Sequence, residues 1–478
     1  MVFIPRHLRP NIAQYKYSGA DHSIVSKYLL TPYWNWLVTL FPLTVAPNAI
    51  TLSGLSLIFV NFACLAYFVP TLSPVPKPLH VSVGGPWDPL IAPSRIGELV
   101  PSFWESLKSF LGREDYSHGP GLVHAPGSWL YFSWAIGLFL YQSLDAIDGK
   151  QARRTKTSGP LGEMFDHGCD AINTSLEVML SAAALNLGQS WWTVASQCAT
   201  LINFYLTTWE EYHTHTLYLS VFSGPVEGIL MIVVIFIISG IKGPGFWDQG
   251  ILTFLGLKDL EIMQKLPIKD LPLNESFMVF GATALFFNIA SAYRNVVVAR
   301  KKQNLSVLTP LLGLLPITGQ IVLHIIWLSY VPLLRKTHLI PFICYWGLAF
   351  AYMVGQLILN HVIKGPFPYY NIVMAWSVFG LIDASIGSLT GGAVRGIQST
   401  ERGVIAFIWI SLLFAFGMYA WLVVDVIWDI CDFSDINCLT IKKRPTSPKP
   451  SGSISPLPVS TTTNLESKEK GGRRRALS

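Results

Sequence analysis

Four aspartates fall in two short runs on either side of a polar turn, Leu144-Asp145-Ala146-Ile147-Asp148-Gly149-Lys150-Gln151-Ala152-Arg153 and Gly162-Glu163-Met164-Phe165-Asp166-His167-Gly168-Cys169-Asp170. Asp145 and Asp148 are three residues apart, and Asp166 and Asp170 are four apart, so on helices each pair projects from one face. A short turn between the helices makes an antiparallel hairpin whose acidic faces meet. Four converging carboxylates without cations repel one another and take up protons. Divalent metal removes the conflict. All-oxygen ligation suits magnesium or manganese, and this many acids can hold two ions about 3.5–4 Å apart, the arrangement used for in-line displacement at phosphorus. The chemistry is that of a diphosphate. Gly149 and Ala152 leave room where a nucleotide would approach the metals, and Arg153 and Lys150 offset phosphate charge.

The elements that must position these residues are written in lipid-compatible sequence. Of 478 residues, 51% are hydrophobic and 13% are charged, about half the charge of an average soluble protein. Apolar runs of roughly 20 residues, the length needed to cross a bilayer core of about 30 Å, fall near 48–68, 128–148, 164–187, 190–208, 225–241, 276–297, 306–328, 338–358, 368–388 and 404–427. The expected fold is all-α, a polytopic helical membrane protein with about ten transmembrane helices. Within residues 1–46, Leu29, Tyr33, Trp36, Leu37, Leu40 and Phe41 recur at helical spacing. Pro32 lies near the start and Trp34 and Trp36 act as anchors, so an amphipathic helix along the membrane surface is expected. A Pro- and Gly-rich loop separates the first two runs.

An even number of spans puts both termini on one side. Arg294, Arg300, Lys301 and Lys302, the run Lys150–Lys156 and the basic tail then face the cytosol, with Arg335 and Lys336 opposite. The division expected is 1–46 cytosolic, 47–430 membrane domain and 431–478 a disordered basic tail, whose Lys, Arg, Ser, Thr and Pro cannot form a core. The net charge of +6 owes much to that tail and suits anionic lipid headgroups; nucleic acid is not an expected partner. Cys64, Cys169, Cys198, Cys344, Cys431 and Cys438 show no ligand spacing and read as small core residues. The sequon Asn274-Glu275-Ser276 lies too close to a span for use, and the polar first 25 residues carry no cleavable signal peptide.

The pattern Asp145-x2-Asp148-Gly149-x2-Ala152-Arg153-x8-Gly162-x3-Asp166-x3-Asp170 resembles the signature of the CDP-alcohol phosphotransferases at every fixed position. Pro47-Asn48-Ala49-Ile50-Thr51-Leu52-Ser53-Gly54 extends the likeness, which over residues 1–430 is greatest to the eukaryotic choline/ethanolamine phosphotransferases. The resemblance implies that the four aspartates bind two ions of Mg2+ or Mn2+, and that Gly149 and Arg153 flank the CDP diphosphate, with Ala152 and Gly162 completing the nucleotide-binding positions. It implies transfer from CDP-choline or CDP-ethanolamine to the hydroxyl of diacylglycerol, giving phosphatidylcholine or phosphatidylethanolamine and CMP. The setting implied is the endoplasmic reticulum or Golgi membrane, with the active site facing the cytosol. Choline versus ethanolamine is left open, as is oligomeric state, a homodimer being one arrangement.

Two groups compete as the base for that hydroxyl. Asp170 is the wider family's choice, yet an aspartate committed to metal is a weak base. His167, with a free pKa near 6.5, resembles the histidine of eukaryotic members, where it works with a glutamate that by position is Glu227. Trp209-Glu210-Glu211-Tyr212-His213-Thr214 also resembles the family and combines aromatics with carboxylates, as a trimethylammonium group requires. His215 departs from the small or amide residue expected there. The nearest rivals are another CDP-alcohol transferase, or a membrane prenyltransferase, which uses acids and magnesium but has no need of the Gly-x2-Ala-Arg element. A cation transporter would place its acids near the midplane, not at a span end.

Overall fold

The computed structural model describes residues 3–15, 17–21, 23, 25–72, 127–219, 225–260 and 270–442. The Pro- and Gly-rich loop at 73–126 and the tail from 443 onward lie outside the described residues.

A short helix α1 (Thr31–Leu37), with a π-turn before it and a 3-10 turn after it, precedes ten longer helices. These are α2 (Pro47–Phe68), α3 (Trp129–Thr155), α4 (Pro160–Ala184), α5 (Trp191–Thr214), α6 (Pro225–Lys242), α7 (Leu273–Lys302), α8 (Leu315–Tyr330), α9 (Leu339–Val362), α10 (Ile372–Leu389) and α11 (Glu401–Ser434). Each matches one of the ten apolar runs. Among the described residues at least six of them, α2 and α7 to α11, are long and apolar enough to cross a membrane, counting with α8 the 3-10 turn that leads into it, and the chain is a multi-pass membrane protein. The others carry polar residues at one end: α3 runs on to Thr155 and α5 to Thr214, so the acidic motifs are helical.

The arrangement is not wholly helical. Gly19–Asp21 (β1) pairs in parallel with Leu217–Leu219 (β2), tying the N-terminal segment to the chain beyond α5. α11 ends at Ser434, where Asp435 adopts a left-handed conformation at φ 52°. The chain then turns back to bridge Thr440 to Val45, and Asn48 Nδ2 donates to Cys438 Sγ at 3.6 Å.

Burial separates core from periphery. The apolar span of α9 is 83% buried and that of α7 only 6%; α9 is a central pillar packed on α4, α5 and α11. Small residues permit the approach. A Cβ on Gly347 of α9 would lie 2.5 Å from Ser175 Oγ of α4, so any side chain there would force the two helices apart. On the other side of α4, α2 packs against both α3 and α4.

Around α1, Leu30, Trp34 and Val38 pack on Ile50 and Ile147 with Tyr33, Leu37 and Phe41 partly buried against them, while Leu29, Trp36 and Leu40 are exposed. The expected stripe therefore divides, and Trp34, expected as an interfacial anchor, is buried in the bundle. Asn274 of the sequon is buried, its amide donating to Leu185 O and Asp248 Oδ1 at 3.0 and 3.1 Å; the folded chain offers no acceptor for a glycan.

Candidate active site

The hairpin that holds the aspartates is defined by its turn. Lys156 caps α3 in the left-handed region at φ 57°, and Thr157 N closes on Ala152 O at 2.9 Å. Pro160 then starts α4 where its missing N–H costs nothing, and Glu163 sits in the first turn, favoured by the helix dipole.

Across this hairpin one carboxylate oxygen each from Asp145, Asp166 and Asp170 come within 4.8 Å of one another. Asp148 stands beside them, its Oδ2 accepting from Thr51 Oγ1 of α2 at 2.7 Å. Tyr141, one turn before Asp145, donates its hydroxyl to Asp170. Asp145 Oδ1 and Asp166 Oδ1 are buried with no hydrogen-bond donor. Anionic oxygens in that state require a cation, and the donor set is all oxygen. The residues therefore fit divalent magnesium or manganese.

Gly149 and Gly162 have open space beside their backbone. A Cβ on Gly149 would meet only Arg153 Nη1, at 3.6 Å, and one on Gly162 only Asn48 Oδ1, at 4.0 Å. Packing within the chain does not explain either glycine. Arg153 folds back over Gly149, but Lys150 reaches away from the aspartates to Asn35 Oδ1 at 2.9 Å, so of the two cations only the arginine is held here. Ala152 is half-buried one turn along.

Among the described residues no hydrogen bond joins His167 to Glu227. His167 Nδ1 is buried without a partner, and Glu227 instead accepts from the Ser23 hydroxyl, leaving its own Oε2 unpartnered. The Trp209–Thr214 motif divides as well. Trp209 is buried, its Nε1 donating to Pro310 O at 2.9 Å, and Glu210 accepts from Asn295 Nδ2 at 2.7 Å. Neither faces the aspartates. Glu211 turns the other way, and its carboxylate gathers with Glu163 and His361 so that their ligand atoms lie within 4.8 Å. Tyr212 donates to Gly365 O at 2.8 Å, His213 stacks on Phe367, and His215 stacks on His361.

The N-terminal segment closes over this second cluster. Tyr15 donates its hydroxyl to Glu163; burial, then the Glu163 carboxylate, raises the phenol's pKa. Tyr17 is pushed up to about 12 by loss of surrounding water and then by Glu211, Glu163, Asp166 and Asp148. Tyr17 keeps 59% of its surface exposed. Arg9 pairs with Asp429 of α11 at 2.9 Å, and Asn11 Nδ2 donates to Ile363 O at 2.8 Å, fixing the strap.

Sequence reasoning assigned no role to Tyr141, Thr51, His361 or Tyr15. One of these carried a signal. Tyr141, Asp145 and Asp148 are spaced i, i+4, i+7 on one face, and Glu163, Asp166 and Asp170 are spaced i, i+3, i+7 on theirs.

Residues 122–255 match the CDP-alcohol phosphatidyltransferase family profile. The chain is 36% identical over 443 residues, 92% of its length and 97% of the relative's, to an uncharacterised CDP-alcohol phosphatidyltransferase class-I family protein of Schizosaccharomyces pombe. Choline/ethanolaminephosphotransferase 1 of Saccharomyces cerevisiae is 32% identical over 452 residues, covering 92% of this chain and 98% of that one. Cholinephosphotransferase 1 of the same yeast is 32% identical over 457 residues, with 92% and 98% covered. With the aspartates of its signature converging as a metal-fitting cluster, the chain belongs to the CDP-alcohol phosphatidyltransferase family of membrane enzymes.

Proposed function

We propose that this enzyme transfers phosphocholine or phosphoethanolamine from CDP-choline or CDP-ethanolamine to the hydroxyl of diacylglycerol, releasing CMP. The observation that carries the reading is the convergence of Asp145, Asp166 and Asp170 with two buried, donorless carboxylate oxygens. Likeness to choline/ethanolamine phosphotransferases over 92% of the chain supports the choice of substrate.

Asp145, Asp148, Asp166 and Asp170 would hold two ions of Mg2+ or Mn2+, which when bound neutralise the diphosphate and polarise its phosphoryl oxygens. The chain's own groups do the rest. Thr51 and Tyr141 fix the orientation of Asp148 and Asp170. Arg153, lying over Gly149, offers its guanidinium to the diphosphate. The acceptor oxygen bonds to the phosphorus that bears the amino alcohol, the bond from that phosphorus to the CMP oxygen breaks, and CMP departs with the electron pair. His167, whose Nδ1 is free of any partner, takes the hydroxyl proton, with Glu227 assisting and Asp170 as the competing base.

Ten spans then place the aspartate end of the bundle at the cytosolic surface of the endoplasmic reticulum or Golgi membrane, with α1 along the interface and the basic tail beyond 442 in the cytosol. The membrane domain takes 47–430 together with the ordered segment that follows it. The deciding assay supplies purified protein with diacylglycerol, Mg2+ or Mn2+, and CDP-choline and CDP-ethanolamine side by side. CMP release that requires both the acceptor and the divalent ion is expected. Consumption of an isoprenyl diphosphate with no CMP release would overturn the reading.

A further inference from the structure

The second acid cluster remains without a role. Glu163 comes from α4, Glu211 from α5 and His361 from α9, and their exposures are 9%, 3% and 8%. Glu211 Oε1 lies 3.9 Å from His361 Nε2. Tyr15 satisfies one oxygen of Glu163, but the other, Oε1, is buried with no donor. Among the described residues, neither glutamate forms an ion pair with lysine or arginine. Two adjacent buried carboxylates so arranged repel each other and lack a counter-charge.

Position narrows what supplies that charge. Glu163 precedes Asp166 by three residues on one face of α4, a rise of about 4.5 Å. An amino alcohol esterified to phosphorus at the aspartates reaches about one helical turn. Tyr15, Tyr212 and His215 stand around His361 at ring separations of 5.9, 6.5 and 5.7 Å, and aromatic faces of this kind complement an organic cation. A hydrated divalent ion gains nothing from such faces.

We infer that Glu163, Glu211 and His361 form the pocket for the positively charged nitrogen of the donor's alcohol, so that Glu211 selects cationic over neutral CDP-alcohols. This rests on the amino-alcohol reading above and replaces Trp209 and Glu210, which face away, with residues from three separate helices.

The test compares CDP-choline with its neutral isostere, the CDP ester of 3,3-dimethylbutanol, in wild type and Glu211→Gln, measuring CMP release. Wild type should favour the cationic donor in kcat/KM by at least about tenfold, the scale of a close desolvated charge pair. Glu211→Gln should shrink that ratio to about two. The ratio is taken within one preparation, so partial misfolding of the variant cancels, and Glu211→Asp should recover part of the selectivity. An unchanged ratio in Glu211→Gln, or a loss cured by more Mg2+ or Mn2+ regardless of donor charge, overturns the inference. Wild-type protein that releases CMP from neither CDP-choline nor CDP-ethanolamine would bring down the amino-alcohol reading and this pocket together.

Discussion

Tyr141→Phe isolates the support given to one aspartate without touching the carboxylate. The ring is buried at 1% exposure against α2, and its hydroxyl donates to Asp170. Phenylalanine keeps the ring packing and removes only the donor. A hydrogen bond to a charged acceptor contributes about 1.5–3 kcal/mol, equivalent to about 10- to 150-fold in a binding constant, and loss of a partner behind a metal ligand usually falls at 10- to 100-fold. Because Asp170 keeps its charge, the loss should appear as a rise of about 10- to 100-fold in the half-saturating Mg2+ or Mn2+ concentration. Turnover at saturating metal should fall by less than about tenfold. The assay is CMP release across a metal titration, with thermal melting to confirm the fold. An unchanged half-saturating concentration, or turnover lost equally at every metal concentration, would refute the claim that Tyr141 acts by holding Asp170 for a cation.

Asp145→Asn, Asp148→Asn and Asp166→Asn should each nearly abolish CMP release without unfolding the protein, since each removes a ligand and leaves the packing in place; retention of more than about a tenth of wild-type turnover would count against that residue's role. His167→Ala should lose at least about 10² in turnover while still binding nucleotide by calorimetry, whereas Asp170→Asn should weaken metal and nucleotide binding together. Glu227→Gln should resemble His167→Ala in milder form, and near-normal turnover in His167→Ala would return the base to Asp170. Truncation after Lys443 should leave turnover intact, because the residues removed carry no apolar surface with which to support the site; inactivity in well-folded truncated protein would contradict this.

The hairpin was legible because its information is local. Spacings of three and four residues decide which side chains share a helix face, and apolar runs decide where helices lie, so the meeting of Asp145 with Asp166 and Asp170 follows from about 25 consecutive residues. The surroundings obeyed no such rule. Thr51 meets Asp148 across 97 residues of chain and Tyr15 meets Glu163 across 148. Single hydrogen bonds from a polar segment leave no periodic trace, and the three-residue β1–β2 pairing is shorter than any alternation that could announce it. The division of Trp209–Thr214 also depended on tertiary contact. On an isolated helix Glu210 and Glu211 are equivalent, and only Asn295 of α7 on one side and His361 of α9 on the other tell them apart.

The acids of the site are gathered on four consecutive helices. α3, α4, α5 and α6 carry every acidic residue assigned here to the two clusters or to the base: Asp145 and Asp148, Glu163 with Asp166 and Asp170, Glu211, and Glu227. Facing lipid, each of these carboxylates would cost several kcal/mol. The bundle avoids that cost by placing α4 between α2 and the almost fully buried α9, where Ser175 meets Gly347 without room for a side chain. A hairpin too acidic for lipid thus becomes affordable once apolar helices enclose it, and the same enclosure removes the water that would otherwise satisfy its anionic oxygens. Those oxygens are then left to whatever cations the substrate and its metals bring, which is the condition phosphoryl transfer at a diphosphate needs.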